Sequence, residues 1–206
     1  MHSFNSYLAQ GIGGLPSSLI SIILIIVSIL MLTIALERGY ILFRLNTPIN
    51  HNQARDFLHL IREKKFEEAK AYCADKAHPG FRTMQRILEN RTSTTDILTL
   101  AKEEILIEQT ALERFTSFLG TTTTLAPMLG LLGTVTGMIK AFSAFAQASS
   151  HSGQLTIGIH EALITTTLGL MIAIPALLFF NFYVKRTNLL MDECEHLIEQ
   201  SLKELL

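Results

Sequence analysis

From Phe115 to Val184 the chain carries only two residues of the Asp, Glu, Lys and Arg set, Lys140 and Glu161, and from Ser3 to Leu36 it carries none. Between Glu37 and Arg114, by contrast, lie 13 Lys/Arg and 12 Asp/Glu. Uncharged runs of this kind suit lipid, where about 20 apolar residues cross roughly 30 Å of hydrocarbon. Three stretches are long enough: residues 17–36, 121–146 and 157–183. In lipid an isolated segment can satisfy its own backbone polar groups only as a helix. The sequence therefore predicts an all-α integral membrane protein with three transmembrane helices and one charged helical domain between the first and second.

The basic residues set an orientation. Arg38 and Arg44 follow the first span, Arg114 precedes the second, and Lys185 with Arg186 follows the third, whereas residues 1–16 and 147–156 contain no Lys or Arg. The positive-inside rule then puts 1–16 and the loop 147–156 outside, and makes 37–120 a cytoplasmic helical domain and 184–206 a cytoplasmic helical tail. The first span lacks the basic n-region of a cleaved signal peptide and is followed by positive charge, so it reads as retained. Cys73 and Cys194 both fall on the predicted cytoplasmic side, which argues against a disulfide. The net charge of −1 gives no reason to expect a nucleic-acid partner.

Within the charged domain, Thr47-Pro48 should end any helix continuing from the first span. Residues 52–63, 66–76 and 81–90 carry helical apolar periods, with a break at Lys64-Lys65 and a turn at His78-Pro79-Gly80. Thr94, Thr95 and Asp96 offer N-caps for a longer helix. Its apolar period meets no Gly or Pro before Gly120, so it is expected to run straight into the second span. Residues 188–206 likewise prolong the third span, so that spans 2 and 3 extend into a cytoplasmic helical bundle.

Catalytic signatures are missing from the sequence. No Gly-Lys-Ser/Thr follows the glycines of 130–137, and the seven histidines show no metal spacing, so neither a cofactor nor a metal is implied. Asn90-Arg91-Thr92 matches a glycosylation sequon but lies on the predicted cytoplasmic side. A membrane enzyme has little support, since no nucleophile–base pair is visible.

The informative pattern is geometric. On the second span small residues fall at Gly130, Thr134, Gly137, Ala141 and Ala144, and on the third at Ala162, Thr166, Gly169, Ala173 and Ala176, both with steps of 4, 3, 4 and 3. Each set is one stripe along a helix face. Gly133 and Gly137 add small-xxx-small spacing, which favours close helix approach in lipid although each glycine costs ~1 kcal/mol in a soluble helix. Two readings fit: helix packing, with Thr134 and Thr166 bonded to their own i−4 carbonyls, or a narrow polar passage walled by small residues and holding a guest helix. A hydroxyl can donate, accept or coordinate, but it stores no proton near neutral pH. A proton passage would therefore need a carboxylate from elsewhere. Glu161 is the only acid inside the spans, about 140° around the helix from Thr166, and Lys140 is off the stripe as well. The two could pair or snorkel to the interface, or Glu161 could relay or tune ions. Pro127 and Pro175 are expected to kink their helices.

The run from Ala126 to Ile139, Ala-Pro-Met-Leu-Gly-Leu-Leu-Gly-Thr-Val-Thr-Gly-Met-Ile, resembles the second-span signature of the MotA/TolQ/ExbB proton channel family. Gly158-Ile159-His160-Glu161-Ala162-Leu163, then Thr166, Gly169 and Ala173-Ile174-Pro175-Ala176, are similar to its third span, and Glu37-Arg38 also fits. Three spans and a short chain resemble the ExbB and TolQ branch. The resemblance implies a homopentamer around the membrane helices of two ExbD- or TolR-like subunits, whose membrane aspartate supplies the missing carboxylate. Thr134 and Thr166 match pore-facing threonines and Glu161 the third-span glutamate, with no family residue matched at Lys140. Gly130, Gly133, Gly137, Ala141, Ala162, Gly169 and Ala173 would then pack around the partner helix. Proton flow would drive a TonB- or TolA-like protein acting on the outer membrane, although Thr165, Thr166 and Thr167 could instead help coordinate Na⁺. The rival expectation is a helix-bundle scaffold or passive channel without motor activity.

Overall fold

A computed structural model describes residues 17–45, 49–91, 96–147 and 152–205. Residues 1–16, Thr47-Pro48, Thr94, Thr95 and residues 148–151 of the predicted 147–156 loop lie outside them, while Gln147 and 152–156 are helical. Seven helices account for nearly all the described residues: α1 (Ser17–Arg44), α2 (His51–Arg62), α3 (Phe66–Ala74), α4 (Pro79–Asn90), α5 (Ile97–Glu113), α6 (Thr116–Gln147) and α7 (Ser152–Leu205). The all-α expectation holds, and α1, α6 and α7 are each long and apolar enough to cross a membrane. They leave large apolar side chains on their outer faces, among them Ile22 and Ile29 on α1, Leu131 and Phe142 on α6, and Leu163, Ile174 and Leu178 on α7. Such an exposed apolar surface marks a membrane or partner face rather than a wetted one.

The chain forms two compact units. One contains the chain up to Ala35 together with Ser117–Phe180, and the other contains Leu36–Thr116 together with Asn181–Leu206.

The second unit is a small helical bundle whose local starts are written in the sequence. Asn50 caps α2 by accepting from the Asn52 amide, and Gln53 reaches back to complete a capping box. Lys64, at φ 56°, turns the chain into α3. Asp96 caps α5 at the Leu98 amide. The expected turn at His78-Pro79-Gly80 is instead a cap and first turn: His78 Nδ1 accepts from the Gly80 amide at 3.0 Å, and α4 begins at Pro79, a favoured first helical residue. Phe57, Phe81, Met84 and Ile87 fill the core with Cys194, Leu197 and Ile198 of α7. Phe57 and Phe81 meet edge to face at 5.7 Å.

The expected run of α5 straight into the second span is corrected. The helix stops at Glu113 and resumes at Thr116. The buried Arg38 guanidinium lies 4.7 Å over the Phe115 ring and donates through Nη1 to the Leu112 carbonyl at 3.3 Å. That carbonyl is the acceptor the Thr116 amide would use in an unbroken helix. A side chain inserted into the ladder is a recognised cause of a helix break.

A charge cluster joins α4 to α5. Arg86 donates to Glu104 at 2.6 Å and to Glu108 at 2.9 Å, Arg82 also binds Glu108, and Asn90 donates to Glu104 at 3.2 Å. Glu108 is only 2% exposed. These partners replace the water it has lost.

His78 links the same unit to α7. Because Nδ1 is an acceptor, Nε2 carries the proton and donates to Glu193 at 3.0 Å. Burial lowers the His78 pKa below its ordinary 6.5, against the opposing pull of Glu193. The folded unit therefore binds fewer protons than the unfolded chain, and this stability is full above about 6.5 and falls as pH drops through that value toward the lowered one. The unit is expected to melt at a lower temperature at about pH 5.5 than at about pH 7.5. His78→Gln should flatten that difference in a pH series of thermal melts, and an unchanged slope would show that His78 does not contribute.

Candidate ion-pathway site on α6 and α7

Within the first unit, α6 and α7 meet through their glycines in antiparallel order. Gly120 sits under the Phe180 ring, Gly130 against the Thr166 backbone, Gly133 against the Thr165 side chain, and Gly137 against Ala162 and the Gly158 carbonyl. Gly158 in turn faces Ala141, and Gly169 faces the Ala126 carbonyl and the Gly130 Cα. A Cβ on Gly169 would lie 2.5 Å from that carbonyl oxygen, and one on Gly130 would lie 3.0 Å from the Thr166 Cα. Backbone cannot yield as a flexible side chain can. Gly169→Ala should therefore force the helices apart at the ~1–3 kcal/mol cost of overpacking. A drop in the thermal stability of the purified protein checks this, and wild-type stability would contradict it.

The two stripes of small residues thus face each other within one subunit. Ala141, Ala162 and Ala173 are buried, the first two against Gly158 and Gly137. The side chain of Ala144 lies outside the described residues. Pro127 and Pro175 both sit inside helices that continue on either side of them. Each removes one backbone donor, freeing the carbonyls of Thr123 and Met171.

The threonines are not equivalent. Thr134, half-buried, donates to the Leu131 carbonyl of its own helix at 2.7 Å in an exposed bond. Thr166 does not bond within its helix: it crosses to the Gly130 carbonyl at 2.9 Å. Its neighbours Thr165 and Thr167 donate to Ala162 and Leu163 of α7 itself. Thr134 thus bonds three residues back rather than four, and Thr166 ties the two helices together. Glu161 is exposed and Lys140 is half-buried.

Sequence reasoning missed two packing residues, Thr165 and Gly158. Thr165, buried to 2% exposure, is the knob that fills the space left by Gly133. Gly158 extends the third-span stripe by one step of four before Ala162, a signal that was legible. Thr136 is fully buried and donates to the Leu132 and Gly133 carbonyls. Among the described residues no group of three or more His, Cys, Asp and Glu is placed to hold a metal.

This glycine-lined helix pair coincides with a family match. The profile of the MotA/TolQ/ExbB proton channel family matches residues 69–196, which include all of α6 and the membrane part of α7. The chain belongs to the MotA/TolQ/ExbB proton channel family. Among similar proteins, a putative biopolymer transport protein ExbB-like 1 from Synechocystis sp. is 37% identical over 176 residues, 82% of this chain and 68% of that protein. The Tol-Pal system protein TolQ of Haemophilus influenzae is 37% identical over 91 residues, 44% of this chain and 40% of TolQ. The biopolymer transport protein ExbB of Xanthomonas campestris pv. campestris is 39% identical over 85 residues, 41% of this chain and 34% of that protein. The alignments to TolQ and ExbB thus span less than half of those proteins' lengths. Family and apolar helices together make the chain a multi-pass inner-membrane protein of proton-channel motor type, closest to the ExbB and TolQ branch.

Proposed function

We propose that this chain is the pore-forming subunit of an ion-driven motor, assembled as a homopentamer around two single-span partner subunits of ExbD or TolR type. The observation that carries this reading is the α6–α7 pair, in which small residues bring the helices into contact and hydroxyls supply the polar groups of the stripes. Hydroxyls can pass or coordinate an ion but cannot hold a proton near neutral pH. The partner's membrane aspartate is the group that titrates, Thr134 and Thr166 contribute to the path beside it, and Glu161 tunes ion entry.

The small residues pack α6 against α7, so the partner helix is met by the wall this pair builds, at the Thr134 edge. The proton is the carried ion. In this arrangement the N-terminus is periplasmic, while 37–120 and 184–206 are cytoplasmic. A charge crossing the membrane releases ~2.3 kcal/mol per 100 mV. That energy moves the partner helices and, through a TonB- or TolA-like protein, acts at the outer membrane. Purification of the tagged chain from native membranes, followed by native mass spectrometry, tests the assembly. Five copies with two copies of a single-span protein bearing a membrane acid are expected, and a complex without such a companion would contradict it.

A further inference from the structure

We propose that Gly130 is the positioning residue of the ion pathway, and that Thr166 acts through it while Thr134 presents the hydroxyl that meets the ion. The inference rests on the pore reading above. Because α6 runs unbroken from Thr116 to Gln147, the Gly130 carbonyl accepts the Thr134 amide by the i→i−4 pattern. The same oxygen accepts the Thr166 hydroxyl at 2.9 Å. A carbonyl has two lone pairs, so one atom joins both threonines and has no capacity left over.

The missing side chain of Gly130 is what permits this bond. A Cβ there would meet the Thr166 Cα at 3.0 Å and the Thr165 carbonyl at 3.1 Å, both backbone atoms. Within the triplet Thr165, Thr166 and Thr167 only the middle hydroxyl crosses to α6, the other two closing onto α7. The Thr166 proton is thereby committed in a partly buried bond. The Thr134 proton closes onto its own helix in an exposed one, from a half-buried side chain.

Thiol labelling of the assembled complex in membranes separates the two roles. Cys73 and Cys194 are buried, and burial pushes their thiols up to about 12 and about 11, so they stay silent toward a methanethiosulfonate reagent. Thr134→Cys should label at least ~tenfold faster than Thr166→Cys. Equal rates, or the reverse order, would overturn the assignment. In ion-flux measurements Thr166→Ser, which keeps the bond to Gly130, should restore flux lost in Thr166→Val. Gly130→Ala should lower flux although both threonines are intact, and wild-type flux in that variant would also overturn the proposal. If the wild-type complex conducts nothing, the pore reading fails, whereas the labelling ratio still decides the placement of the two threonines.

Discussion

Thr134→Val is expected to reduce ion-driven function by about tenfold to a hundredfold while the assembled complex is still recovered from membranes. Valine keeps the shape of threonine and replaces only the hydroxyl, which here donates to the Leu131 carbonyl of its own helix. A hydrogen bond to a charged group is worth ~1.5–3 kcal/mol. At ~1.4 kcal/mol per decade, its loss gives the stated range. Thr166→Val should be comparably inactive and also less stable, because it deprives the Gly130 carbonyl of its cross-helix donor. Ion uptake by vesicles, measured beside recovery of the intact complex, checks both variants. Full activity in both would remove the threonines from the pathway.

Arg86→Ala should cause the largest loss of stability in the charged helical unit, on the order of 3–5 kcal/mol, the usual cost of breaking a buried ion pair by removing one partner. Arg86 holds both Glu104 and Glu108. Without it two nearly buried carboxylates would face each other with Arg82 and Asn90 as remaining partners. Each is poorly solvated, so local unfolding that returns it to water becomes the way out. Arg82→Ala should cost less, since the Arg82 side chain is 47% exposed and leaves Glu108 still bonded to Arg86. Thermal unfolding by circular dichroism ranks the two variants. An Arg82→Ala loss equal to or above that of Arg86→Ala would contradict this account of the cluster.

Much of the architecture was legible because lipid enforces simple rules. Charge segregation located the apolar helices, and alternating steps of 4 and 3 located the faces that meet. Asn50, His78 and Asp96 act as caps through their side chains. Of these the sequence marks Asp96 as a cap, whereas the His78 cap depends on a ring nitrogen at the right angle to the Gly80 amide.

The break between α5 and α6 was not legible. Its sequence contains no Gly or Pro, and the cause is Arg38, a residue 74 positions earlier that takes the Leu112 carbonyl. Likewise the stripe showed that Thr166 lies on the small-residue face, but not that its hydroxyl leaves its own helix for Gly130. Local pattern encodes which face is small. It does not encode which of several equivalent acceptors a hydroxyl chooses once two helices are in contact.

The central claim is that this chain builds the wall of an ion passage whose titrating group belongs to a partner. Proton uptake into vesicles under an imposed membrane potential tests it most directly, with the co-purified complex compared against the chain reconstituted alone. The account predicts uptake only with the complex, and its loss when Thr134→Val is introduced. Equal uptake by the chain alone, or none from the intact complex, would contradict it.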